Sequence, residues 1–226
     1  MPFKVSHMLS GALVFLAFSG IATSAASASG PFWHVGGKKF ESGTRQIKLQ
    51  SKGAIVLKST VIEIECKNSI SEGATIEGST TTQGQGKGRI SYSSCTVLKP
   101  TPGCDIAQPI IMTPLNFHLV ETGTQTHYAL LLEPAEGVVF VVLKFSGTCT
   151  IKEWAVTGSI AAEVIPTKVE SQDGLITFPT TPITKVKLEG TEKAVKLETV
   201  GIAFTISAAY GARLATFPEK FGVFET

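Results

Sequence analysis

Gly137-Val-Val-Phe-Val-Val-Leu-Lys-Phe145, followed at once by Ser146-Gly-Thr-Cys149, decides the fold class. Residues 138–145 are apolar except for Lys144, and β-branched and aromatic side chains dominate. The run is too short to span a bilayer and reads as a strand buried over most of both faces. Alternation puts Val139, Val141, Leu143 and Phe145 on one face, with Cys149 continuing that parity, while Lys144 leaves through the other. The first face is therefore the deeper, and the rest of the chain is expected to pack around this strand.

On both sides the pattern is the same. Short stretches at 45–50, 54–58 and 61–66 alternate or run apolar, as do 159–165, 175–178, 183–188, 195–199 and 202–210, with glycine- or proline-bearing turns between them. No stretch after residue 28 carries the apolar stripe of a helix. The expected fold is all-β, with antiparallel sheets in a sandwich or open barrel tied by two disulfides. Residues 29–226 read as a single domain, with a split near 150–182 as the alternative.

Residues 1–28 read as an export signal rather than as fold: Lys4 precedes an apolar run over 8–21, and Ala26-Ser-Ala28 is a small-x-small cleavage site. No transmembrane segment remains after that cut, and the product is expected outside the cell or on its surface. The formal charge of +2 over 226 residues, with no basic stripe, argues against nucleic acid or an anionic membrane as a partner. Aspartate occurs only at 105 and 173 and asparagine only at 68 and 116, too few for calcium loops. No cofactor is implied.

All four cysteines, Cys66, Cys95, Cys104 and Cys149, follow the leader, and an even count in an oxidising compartment implies two disulfides. Of three pairings, parity favours Cys66–Cys149, because both end deep apolar faces. Cys95 shares a face with Ser91 and Ser93, which suits an exposed Cys95–Cys104 clip across a turn-rich tip.

Several residues invite chemistry. Glu63 and Glu65 share a strand face at roughly 6.5–7 Å, a spacing that glycosidases use. A two-residue loop at Thr122-Gly123 places His118 directly across from His127, half of a weak metal site. The aromatics Phe32 and Trp33 suit sugar stacking, or else pin the first strand to the core. Lys99 to Gly103 is the one disulfide-braced loop that could serve a protease inhibitor. The glycine-rich 78–88 segment reads as a mobile loop, since Lys87-Gly88 departs from a phosphate loop and a strand follows.

Together, Pro31-Phe-Trp-His-Val-Gly-Gly37, Gly84-Gln-Gly-Lys-Gly-Arg-Ile90, Ser94-Cys95, Phe145-Ser-Gly-Thr-Cys149 and Glu219-Lys-Phe-Gly222 resemble a group of uncharacterised, exported, β-rich bacterial proteins. The resemblance implies export and a β fold, and no activity. The leading expectation is a secreted or cell-surface, non-enzymatic binding or structural protein with a cell-envelope or protein partner. A secreted polysaccharide hydrolase using Glu63 and Glu65 is the rival, and a protease inhibitor the third class.

Overall fold

The computed structural model describes residues 30–100, 103–123, 128–216 and 218–225, so the leader lies outside the described residues. In chain order the strands are β1 (Phe32–Val35), β2 (Lys38–Lys39), β3 (Thr44–Ser51), β4 (Ile55–Ser59), β5 (Glu63–Glu77), β6 (Gln85–Lys99) and β7 (Cys104–Ile106). Then come β8 (Ile110–Ile111), β9 (Leu115–Thr122), β10 (Tyr128–Pro134), β11 (Val139–Gly147), β12 (Glu153–Gly158) and β13 (Ile160–Ile165). The last are β14 (Gly174–Phe178), β15 (Lys185–Leu188), β16 (Thr191–Ala194), β17 (Leu197–Thr199), β18 (Ile202–Leu214) and β19 (Phe221–Phe224). All named pairs are antiparallel. No helix among the described residues is long and apolar enough to cross a membrane.

Two rings share one set of long strands. The first follows β14, β13, β10, β9, β6, β5, β3 and β18, and β18 pairs back onto β14, with Ile176 opposite Tyr210. Eight strands leave an interior just wide enough for side chains to fill. Leu119, Leu130, Ala162, Val164, Ile176, Tyr210 and Ile76 fill it. The second ring uses the other halves of the same strands. It runs from β5 through β4 to β18, then β17, β12 and β11. Met112 bridges Val141 and β8 pairs β6, which returns the path to β5. The side chain of Gln108 completes the join: its Oε1 accepts from the Cys95 N–H and its Nε2 donates to the Cys95 carbonyl, both at 2.8 Å.

At the junction the long strands change which face they present. Ser94 sits in the left-handed region at φ 55°, and Asn68 Nδ2 donates to its hydroxyl at 3.1 Å. Tyr92 and Cys95, an odd number of residues apart, are therefore both buried. Inside, Tyr210 donates to Tyr92 at 3.2 Å, and Tyr92 reaches Met112 Sδ at 3.7 Å. One apolar core runs through both rings.

The expected all-β antiparallel class with two disulfides is what the structure shows, but the organising strand is different. β11 is one wall of the second ring. Its alternation holds over Val141, Leu143 and Phe145, and a register shift between Val139 and Val141 turns Phe140 inward as well. The organising strands are β5, β6 and β18, which the sequence reading had broken at non-alternating stretches.

The glycine-rich loop is also corrected over its last residues. β6 begins at Gln85, and Gly84, Gly86 and Gly88 occupy successive alternate positions. A side chain at Gly84 would meet Leu119 and Trp33, and one at Gly88 would meet Ala74 and Phe117. The glycines make room for the core rather than giving the chain freedom.

The small sheet β19–β1–β2 is fixed to the far end of the first ring. Gly84 N–H donates to the Pro31 carbonyl, and Trp33 Nε1 donates to the Gln85 carbonyl at 2.9 Å. Outside the first ring, the β15–β16 hairpin lays Val186 and Val195 over Val120, Ala129, Leu131 and Ala161. This second cluster explains why β9 and β10 are apolar on both faces.

A basic groove on the barrel wall

The disulfides are Cys66–Cys95 and Cys104–Cys149, with Cα separations of 3.9 and 4.7 Å. Cys66 and Cys95 are direct partners across β5 and β6. Cys104 pairs with Gly147 on β11, which brings Cys149 to it. The expected Cys95–Cys104 and Cys66–Cys149 pairing is overturned for two reasons. The left-handed Ser94 moves Cys95 from the Ser91/Ser93 face to the interior, and β7 pairs with β11 instead of folding back on β6.

Other sequence-selected residues also find different surroundings. Phe32 and Trp33 are only 1% and 2% exposed, so neither offers a stacking face. The Lys39 ammonium lies 3.4 Å from the Phe32 ring centre within the small sheet, and it is Trp33, through its Nε1 hydrogen bond to Gln85, that ties the first strand to the ring.

His118 faces Leu131, because β9 and β10 pair Glu121 with Tyr128, four residues out of the expected register. A shift of four preserves the face, so Phe117, Leu119, Tyr128 and Leu130 are buried as expected. It removes the position opposite His118 from residue 127, and His127 lies outside the described residues. Burial holds the His118 imidazole below its ordinary pKa, with Glu133 opposing. No cluster of three metal-ligating side chains occurs among the described residues.

Glu63 and Glu65 stay on the outward face of β5, and Glu63 is tied to Lys58 at 2.8 Å. The Lys99–Gly103 tip includes Thr101 and Pro102, which lie outside the described residues; Lys99 itself donates to the Thr60 carbonyl at 2.7 Å.

A concavity lies where β3, β18 and β14 meet on the outer wall of the first ring. It encloses about 710 Å³ and is lined by Lys48, Gln50, Lys52, Asp173, Gly174, Gly211, Arg213, Leu214 and Ala215. Alternation sends Lys48 and Gln50 outward from β3, Lys52 follows just past its end, and register sets Arg213 opposite Lys48 and Gly211 opposite Gln50. Gly211 forms the floor: a β-carbon there would lie 2.5 Å from Lys52 Cε, so the lysine stem rests across the bare backbone.

Three cations face one carboxylate. Asp173 accepts from Arg213 Nε, and that hydrogen bond holds the Asp173 carboxyl below its ordinary pKa. Lys48 and Lys52 take part in no ion pair among the described residues. Like charges directly opposite across a ladder destabilise a sheet. Lys48 and Arg213 stand opposite in this way, and Asp173 supplies a counter-charge to Arg213 alone. Chemically, the groove offers ammonium and guanidinium donors on rigid strands, suited to carboxylate, sulfate or phosphate groups.

No family model matches the chain, and neither a curated protein nor a solved structure matches it.

The sequence reading missed this groove. Residues 45–50 were read only as a short strand, and the meeting of Lys48 with Arg213 depends on β3 pairing with β18 across most of the chain.

Proposed function

We propose that the chain is an exported or cell-surface, non-enzymatic binding protein whose basic groove holds an extended, acidic polymer such as a uronate-containing polysaccharide. The observation that carries this reading is the Lys48–Lys52–Arg213 cluster over a glycine floor, with Asp173 the one carboxylate in its lining. A groove on strands, unlike one on loops, keeps its charges in place before the ligand arrives. The rival hydrolase draws no support from the surroundings of Glu63 and Glu65, which face away from the barrel with Lys58 bound to the first.

The test is binding of polygalacturonate, with neutral dextran as control, across a salt series. Polygalacturonate binding that weakens with salt and falls at least about tenfold in Lys48→Glu/Lys52→Glu supports the reading. Equal binding to dextran, or an unchanged double variant, overturns it.

A further inference from the structure

At the end of the second ring away from the small sheet, residues 60–62, 98–100, 103–104 and 147–152 gather, with the 199–202 turn beside them. Val61, Ile62, Pro100, Phe145, Ile151 and Trp154 line an apolar pocket of about 300 Å³ there, with the Cys104–Cys149 bridge in its wall. The pocket's rim is apolar too. Val61, Leu98, Ile151 and Val200 are all exposed large hydrophobic residues. Register places the Val200 turn beside the Val61 turn, since Phe204 pairs with Ser59.

Val200 is the informative one. Thr199 pairs with Ile202, so Val200 and Gly201 form a two-residue turn, with φ of 48° and 77°. Such turns favour asparagine, aspartate or glycine first, and a β-branched residue at positive φ is a true outlier. The β15–β16 hairpin makes the same kind of turn with Glu189 and Gly190, at φ 49° and 80°, and uses a polar residue there. At 88% exposure Val200 gains nothing from the core for this strain. A strained apolar residue thrust into solvent, in a ring of others, is built to meet something apolar.

The charges select what it meets. Lys99 and Lys152 flank Leu98, Pro100 and Ile151 in sequence, and their ammoniums donate to the Thr60 and Gly147 carbonyls at 2.7 and 3.1 Å. Neither lysine is in an ion pair among the described residues. Of the nearby acids, Glu63 is held by Lys58 and Glu198 by Lys196, and Glu153 has Lys144 opposite it in register, which leaves Asp105 against the two lysines. The whole-chain charge of +2 disfavours an anionic surface, so the attraction rests on this local excess at the tip. We infer that this tip docks on a lipid bilayer bearing acidic headgroups, its apolar rim entering the interface while Lys99 and Lys152 face the anions.

This inference goes beyond the groove and stands independently of it, at a different place on the molecule. The test is co-sedimentation of the exported chain with phosphatidylcholine vesicles and with vesicles of phosphatidylcholine and phosphatidylglycerol at about three to one. Val200→Asn is the decisive variant, because it relieves the turn while removing the apolar tip. It should raise the thermal midpoint yet cut binding to the mixed vesicles at least about fivefold, and Lys99→Gln/Lys152→Gln should remove the preference for the acidic lipid. The inference is overturned if the wild-type chain stays in the supernatant, if Val200→Asn binds like wild type, or if the two vesicle types bind alike. It is equally overturned if Lys48→Glu/Lys52→Glu abolishes sedimentation, or if the chain is a dimer that Val200→Asn makes monomeric.

Discussion

Replacing Gly88 by alanine separates two readings of the glycine-rich segment by the sign of the effect. In a mobile loop, alanine reduces the freedom of the unfolded chain and stabilises by about 0.4–1 kcal/mol. In the structure, the added carbon at Gly88 would lie 2.8 Å from Ala74 Cα and 3.3 Å from Phe117 Cζ. At Gly86 it would lie 2.2 Å from the Thr75 carbonyl oxygen. Both obstacles include backbone of the partner strand, which can move only by disturbing the β5–β6 ladder. Overpacking of this kind costs about 1–3 kcal/mol. Gly84→Ala should cost less, because its nearest neighbours at 2.6 and 2.8 Å are the side chains of Leu119 and Trp33. Gly53, with open space around it and no positive φ, is the internal control and should gain stability. With a urea m-value of about 2 kcal/mol/M, Gly88→Ala should lower the midpoint by roughly 0.5–1.5 M while Gly53→Ala raises it slightly. A rise in both would refute the packing argument and return residues 84–88 to a loop.

Non-reducing peptide mapping should recover fragments joining Cys66 to Cys95 and Cys104 to Cys149; any Cys95–Cys104 fragment contradicts the strand pairing described here. With sequence separations of 29 and 45, loop-closure entropy puts the two bridges at about 3.6 and 4.0 kcal/mol. Cys66→Ala/Cys95→Ala and Cys104→Ala/Cys149→Ala should therefore lower stability by similar amounts in chemical denaturation. Burial holds His34 and His118 below the ordinary value of 6.5, so the unfolded chain takes up protons first. Their contribution is complete above that value and is lost as pH falls from it through the folded values. Urea midpoints should drop between neutral pH and pH 5, less steeply in His118→Gln; a flat profile counts against buried imidazoles. In the groove, Asp173→Asn frees Arg213 and should tighten polygalacturonate binding severalfold in titration calorimetry, with weaker binding as the contrary result.

Alternation was readable wherever one strand kept one face toward the core. The Phe117, Leu119, Tyr128, Leu130 face was correct despite a four-residue error in register, because side-chain direction repeats every two residues and an even slip leaves it unchanged. The cysteine pairing failed at Ser94 and at the unforeseen pairing of β7 with β11. Ser94 in the left-handed region reverses the parity of everything after it, and serine gives no local warning of that conformation. The long strands were hidden for a related reason. Between Cys66 and Ala74, β5 passes from one ring to the other, and Ser71 there bonds Leu49 N–H with its hydroxyl at 3.0 Å. Such a stretch carries neither apolar alternation nor a turn signature, so it reads as a break. The groove was illegible because its two halves are far apart in sequence and meet only through the β3–β18 register.

Residues that serve the fold obey local rules throughout most of this chain: β-branched residues in the walls, glycines where the core needs space, glycine second in the two-residue turns. Two features break those rules with no gain in packing. Lys48 faces Arg213 across a ladder, and Val200 holds a left-handed turn in full exposure. Where sequence and fold disagree at a cost to stability, the disagreement points to function. The two sites lie on different rings, and the strands β5, β6 and β18 that join those rings are held by a common core and, between β5 and β6, by a buried disulfide. A chain docked by its tip would thus hold its basic groove at a fixed height above the surface, set by the length of β18 between Ile202 and Arg213. At about 3.3 Å per residue that separation is on the order of 35 Å, reduced by strand tilt, enough for the two proposed sites to be engaged at once, one on the headgroups and the other clear of them.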